Sequence, residues 1–305
     1  MSRLTDLTTL VRLSKSYLTD IRVDRMVIDN ETISYLEAGD RRNLSILFIH
    51  AFNGTKNLWR LMLDRLKHHY HVIAPELPVY SCTSDPKDER KYNFRYLMDL
   101  LEQFIALKGL SPLHLVGASA GSTMAAHLML KHPDKIETLA MFAMPTLFRE
   151  EEGAEAGQLP PPEFYLPITV EGFEALKHHL VYDPPPTSDW IMSNLARRNR
   201  EQREVKLKIL EECINRTAFL VPRLRQIDVP TLFLYGEGDR VTPQHTIDHF
   251  VQEVPNIQHF SIKRCGHLPY LEKADEVAAT YLSFLAYCRS VGQPDTRGSV
   301  ASAIS

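Results

Sequence analysis

Gly117, Ser119 and Gly121 fall at the spacing G-x-S-x-G in the stretch LVGASAGSTMA, residues 115–125. An apolar run enters this stretch and a helix-type pattern leaves it, the context in which a serine can be held on a sharp strand-to-helix bend. Glycines on either side let the two backbones crowd together, and the N–H groups that open the helix can receive negative charge. A serine hydroxyl is a weak nucleophile unless a base takes its proton and an acid orients that base. The stretch LYGEGDRVTP supplies Asp239 in a loop past a strand-type run, and KRCGHLPYLEKADEV supplies His267 in the following strand-to-helix loop. Each residue also has a plain structural reading: a tight turn for Ser119, a cap on a helix starting near Thr242 for Asp239, a satisfied loop position for His267. Together, in this chain order and each beyond the carboxyl end of a strand-type run, they form a nucleophile, acid and base for acyl transfer.

A sheet that delivers several strand ends to one edge is needed to bring them together. Short β-type runs alternate with helix-type stretches over most of the chain, which predicts a mainly parallel sheet covered by helices on both faces. Residues 22–29 and 32–38 read as a leading strand pair joined at Asp29-Asn30, residues 44–50 as a strand buried on both faces, and 57–67 as a helix. A strand at 71–75, a helix at 94–108 ended by Gly109, the strand leading to Ser119, a helix at 123–131 and a strand at 136–143 follow. Two more strands, TLFLYG from Thr231 and IQHFSI from Ile257, carry Asp239 and His267. Between residues 145 and 222 acidic, glycine-rich and proline-rich stretches break the alternation, which predicts a helical cap inserted into a core of residues 21–144 and 223–290. Residues 1–20 form an amphipathic segment suited to a membrane surface or to packing on the domain, and 291–305 a disordered tail.

The stretches FIHAFNGTKNLW, HLVGASAG, YGEGDRVTP and CGHLPYLEKADEV resemble the α/β-hydrolase family over nearly the full length, most of all its cap-bearing esterases and lipases of the monoacylglycerol-lipase type. The resemblance implies an eight-stranded, mostly parallel sheet with Ser119 as nucleophile, His267 as base and then acid, and Asp239 holding the imidazole. It further implies an oxyanion hole from the N–H groups of Ala120 and Phe52, and no metal or organic cofactor. Two stretches depart from the family pattern. His50-Ala51 stands where His-Gly is usual, and alanine adopts positive φ only at a cost, so the turn carrying Phe52 is expected to be strained. A misplaced oxyanion donor costs about a hundred- to a thousandfold in rate. PELPVYSCTSDP replaces the usual Asp-x-Pro-Gly-x-Gly-x-Ser, and Pro78-Val79-Tyr80 is similar to maspardin-type proteins, hydrolase folds that act as adaptors.

Two readings of function follow. In the first, the chain cleaves carboxylic esters of a medium acyl chain such as a monoacylglycerol, a small-molecule substrate, with Met144, Phe164, Tyr165, Phe173 and Trp190 walling an acyl pocket; amide or carbon-carbon hydrolysis uses the same three residues. In the second, it is a non-catalytic binding protein.

Composition narrows the remaining classes. Of 305 residues, 44% are hydrophobic, and the net charge is only -3 with basic residues spread along the chain, so nucleic acid is not an expected partner. Four scattered cysteines without CxxC spacing suit free thiols in a reducing, cytoplasmic setting. No run has the roughly 20 apolar residues of a membrane span. The clustered His68, His69, His71, His178 and His179 read as surface, and His245 with His249 as a solvated helix face rather than metal ligands.

Overall fold

The computed structural model describes residues 20–79, 81, 92–145 and 160–292. The amphipathic opening segment, all but the start of the tail, Tyr80, Cys82 and the acidic stretch after Pro145 lie outside the described residues.

Eight strands form one sheet: β1 (Arg22–Ile28), β2 (Glu31–Ala38), β3 (Ser45–Ile49), β4 (His71–Pro75), β5 (Leu113–Ala118), β6 (Ile136–Phe142), β7 (Thr231–Gly236) and β8 (Ile257–Ile262). Their order is β1-β2-β4-β3-β5-β6-β7-β8. The pairs β1-β2 and β2-β4 are antiparallel, and all pairs from β4 through β8 are parallel. β3, β4 and β5 are buried along their whole length, as near-continuous apolar strands between two helical layers must be. The edge strands β1 and β8 alone are largely open to solvent. Asp29 and Asn30, at φ 49° and 62°, make the two-residue hairpin turn between β1 and β2, a conformation these two residue types tolerate.

Helices α1 (Arg60–Leu66), α2 (Phe94–Lys108), α3 (Ala120–Lys131), α7 (Gln244–Glu253), α8 (Pro269–Glu272) and α9 (Ala274–Gly292) belong to the core, and α4 (Val170–Leu180), α5 (Asp189–Glu201) and α6 (Arg203–Ala218) stand between β6 and β7. Alternate strand residues feed two cores. Leu47, Ile49, Leu115, Met141 and Phe233 pack under α2, α3 and α7, while Phe48, Val116, Phe142 and Leu234 pack under α1 and α9. In the second core Trp59 stacks on Tyr270 with ring centroids 4.3 Å apart, which fastens α8 and the loop before it to the sheet.

Three local expectations are corrected. The helix expected at 57–67 begins as a 3-10 turn, Lys56–Trp59, because the Thr55 hydroxyl accepts from the Asn57 N–H and starts the chain early. The helix expected from residue 123 starts at Ala120, directly behind Ser119, since tertiary crowding rather than helix propensity sets its first turn. His71 is buried, not at the surface: it opens β4 and lies 2.9 Å from Glu37 and 2.8 Å from the Ser45 hydroxyl.

Candidate active site

Ser119 ends β5 and caps α3 at φ 52° and ψ -123°, a conformation that costs an L-residue energy and survives only where the surroundings enforce it. The enforcement is steric. A Cβ at Gly117 would sit 2.4 Å from the Gly121 carbonyl oxygen, and one at Gly121 would sit 2.3 Å from the Ile49 carbonyl oxygen. Only glycine fits at both. Hydrogen bonds complete the clamp: the Ser119 N–H donates to the Phe142 carbonyl at 3.1 Å, the Ser122 N–H to the Ser119 carbonyl at 2.7 Å, and the Ser122 hydroxyl to the Ala143 carbonyl at 2.9 Å.

Asp239 follows β7 and His267 follows β8, both at the carboxyl edge of the sheet where Ser119 ends β5. His267 Nδ1 lies 2.8 Å from Asp239 Oδ2 and 3.0 Å from Oδ1, with the side chains 2% and 1% exposed. A carboxylate only accepts, so Nδ1 carries the proton. The Asp239 Oδ1 atom also accepts the N–H groups of Val241 at 2.8 Å and Thr242 at 3.0 Å. Burial would raise the Asp239 pKa, but the His267 ring and these N–H donors outweigh it and hold the carboxyl below its ordinary value. Asp239 therefore does cap a turn, yet not helix α7, whose N-cap is Pro243. His267 Nε2 is buried with no hydrogen-bond partner among the described residues. It is the nitrogen on which a proton can be taken or given.

The loop after β3 corrects the expectation for Ala51. The residue with positive φ is Asn53, at 53°, and Ala51 is not among the residues with positive φ, so alanine in place of glycine imposes no such strain. His50 organises this loop from beneath. Fully buried, it donates from Nδ1 to the Ala51 carbonyl at 2.9 Å and accepts the Leu77 N–H on Nε2 at 3.2 Å, and burial pushes its pKa down, which keeps it neutral. The Gly54 N–H closes the turn on the Ala51 carbonyl at 3.0 Å. From α6 the fully buried Lys206 donates to Asn53 Oδ1 at 2.9 Å and to Asn199 Oδ1 at 3.2 Å, tying the loop to the inserted helices. Asn53, Val79, Ser119, Ala143 and Arg264, all just past the carboxyl ends of strands, are at positive φ. Backbone strain is thus gathered at one edge.

The expected pocket residues divide. Met144 is fully buried beside the Asp239 loop, its N–H donating to the Thr242 hydroxyl at 3.2 Å. Phe164 and Tyr165 pack edge-on against His179 with ring centroids 5.1 and 6.1 Å away. Burial, with the Asp239 charge adding to it, pushes the Tyr165 hydroxyl up to about 12. Phe173 is half-buried on α4. Trp190, in the first turn of α5, is 74% exposed and does not join this group. His179 is half-buried rather than a surface residue; burial lowers its pKa, with Arg240 and His267 adding to the effect. Burial pushes the Cys265 thiol far up, which removes it as a rival nucleophile.

Sequence reasoning missed Asn53, Lys206, His179 and Glu272. Lys206 and Asn53 meet across 153 residues, which no short motif records, and the ring contacts of His179 and the hydrogen bonds of Glu272 depend on how the inserted helices fold back. Among the described residues no helix is long and apolar enough to cross a membrane.

Comparison with known proteins agrees with this fold. The chain is 24% identical over 274 residues to Lipase 1 of Psychrobacter immobilis, covering 87% of this chain and 84% of that one. It is 23% identical to Monoacylglycerol lipase ABHD6 of Homo sapiens over 79% of this chain and 75% of that one. A solved structure of a membrane phospholipase A, described as a bacterial virulence factor, superimposes with a TM-score of 0.78 at 28% identity, covering 93% of this chain and 91% of that one. The model of the alpha/beta hydrolase fold matches residues 45–160 and 173–274, and the chain belongs to that family.

Proposed function

We propose that this protein hydrolyses carboxylic esters, of the monoacylglycerol kind, through an acyl-enzyme on Ser119. One observation carries the reading: a buried imidazole whose Nδ1 is held by Asp239 while its Nε2 has no hydrogen-bond partner among the described residues, on the same sheet edge as a serine held at positive φ. His267 Nε2 takes the Ser119 proton as the serine oxygen attacks the ester carbonyl. The N–H groups of Ala120 and Phe52 receive the oxyanion, and the unstrained Ala51 supports the second of these donors. His267 then protonates the departing alkoxide. In the second half-reaction it deprotonates a water that attacks the acyl carbon, and Ser119 leaves with its proton restored.

The inserted helices serve as a cap over this edge. Met144, Phe164 and Tyr165 supply apolar surface near the acid and base, suited to an acyl chain, and the lipase names of the relatives favour an ester over an amide. Trp190 has no part in that wall. Rates on p-nitrophenyl esters from acetate to palmitate, followed by monoacylglycerols, test the reading. Turnover that peaks at one chain length and vanishes in Ser119→Ala supports it, and a folded protein inert to every ester contradicts it.

A further inference from the structure

One half-buried carboxylate has no part in the chemistry above. Glu272 closes α8, five residues after His267. Its Oε1 accepts the N–H groups of Gly266 at 3.0 Å and Leu268 at 3.4 Å, the two chain neighbours of His267. Its Oε2 accepts the Gly266 N–H at 3.1 Å and, from the cap, the Tyr182 N–H at 2.8 Å. The N–H of His267 itself donates to the Leu180 carbonyl at 2.7 Å. Three successive N–H groups around the base are thus held by Glu272 or by the cap. The same cap segment also meets the acid's loop. Arg240 donates to the His178 carbonyl, and a Cβ at Gly238 would lie 2.7 Å from the Tyr182 ring. At Gly266 a Cβ would lie 2.5 Å from the Leu180 oxygen and 2.9 Å from the Tyr182 nitrogen, so no side chain separates cap from catalytic loop.

We propose that Glu272 is a positioning residue that makes the placement of His267 depend on the docking of cap residues 178–182. This rests on the acyl-enzyme reading for its kinetic consequence and on the hydrogen bonds alone for its structural one. A carboxylate has the lone pairs to accept this many N–H groups at once, whereas an amide has one accepting atom and would turn an NH₂ group toward a donor. Burial and the Asp239 charge push the Glu272 pKa up against the pull of its backbone donors. When the cap segment lifts, Glu272 loses Tyr182, His267 loses Leu180, and the base drifts from its working position.

Glu272→Gln, Glu272→Ala and Tyr182→Pro test the proposal; Tyr182→Ala, which deletes the ring lying against Gly238 but keeps the N–H donor, is the reference for Tyr182→Pro. With p-nitrophenyl butyrate, kcat is expected to fall about tenfold in Glu272→Gln and Tyr182→Pro and about a hundredfold in Glu272→Ala, with KM within about twofold of the parent. Amide hydrogen exchange is expected to rise together at residues 178–183 and 264–270 and to stay unchanged at 115–125. Variants that melt earlier but keep the parental kcat overturn the proposal, as does faster exchange confined to 264–270. If Glu272→Ala fails to fold, the other two variants decide the matter. A parent protein without turnover contradicts the acyl-enzyme reading rather than this one, which the exchange pattern then decides.

Discussion

Two buried histidine-carboxylate pairs stand at opposite edges of the same sheet. At the amino edge of β4, His71 lies 2.9 Å from Glu37; past the carboxyl ends of β7 and β8, His267 lies 2.8 Å from Asp239. Both pairs are almost fully buried, with exposures of 4% and 0% in the first and 2% and 1% in the second. What differs is the other ring nitrogen. His71 spends its second nitrogen on the Ser45 hydroxyl at 2.8 Å, and Glu37 is further held by Arg41 at 2.8 Å and Lys108 at 3.1 Å. His267 keeps Nε2 without a hydrogen-bond partner among the described residues and shares its sheet edge with residues at positive φ. Saturated polar groups stabilise; a withheld one leaves room for chemistry. A groove of about 700 Å³ at the amino edge, lined by Gly109, Leu110, Leu113 and Ile136, contains none of the candidate site residues.

Substitution at the two histidines should separate these roles most sharply. His267→Ala is expected to lower kcat/KM by about ten-thousandfold or more, with a loss of melting temperature as well because the buried Asp239 loses its imidazole. His71→Ala should leave kcat within about twofold while lowering stability by roughly 2 kcal/mol, because Glu37 and Ser45 each lose a buried hydrogen-bond partner. Steady-state kinetics and thermal melts on both proteins check the pair of outcomes. Equal losses of activity would break the comparison.

The carboxylates sharpen it through pH. Burial would raise the Glu37 pKa, but hydrogen bonds from Arg41, His71 and Lys108 pull it from 4.5 to about 2. A depressed folded-state pKa means stability that is complete above the unfolded value and lost as pH falls through the folded one. Melting temperature should therefore decline between about pH 4.5 and pH 2, and Glu37→Gln should be less stable at neutral pH with a flatter acid limb. Asp239→Asn should leave most of that limb in place and cost about ten-thousandfold in kcat, since an amide favours the wrong imidazole tautomer. The smallest effect belongs to Ala51→Gly. With no positive φ to relieve at that position, its kcat should stay within about threefold of the parent.

Much of this architecture was legible along the chain. β4 and α2 run over the residues expected for them, because a continuous apolar run marks the first, and Asn93 and Gly109, the latter at φ 66°, cap the second. The candidate triad was legible because each member lies in a short stretch whose glycines and strand-helix context can be read locally. The start of α3 was not, since Gly121 and Ser122 have little helix signal and Gly121 is set by the backbone it touches. His71 looked exposed beside His68 and His69, and only the pairing of β4 with β2 and β3 reveals what covers it. Lys206 reaches Asn53 across 153 residues, a contact that depends on how the inserted helices fold back. Trp190 shows the converse: an apolar type within a cap-forming stretch whose helix phase turns it to solvent.

The most direct measurement of the central claim is the mass of the protein after reaction with a fluorophosphonate, with the adduct located by peptide mapping. The account predicts one adduct, on Ser119, formed by the parent, lost in Ser119→Ala and slowed by orders of magnitude in His267→Ala but not in His71→Ala. A folded parent that gains no adduct, or gains one on another residue, would contradict it.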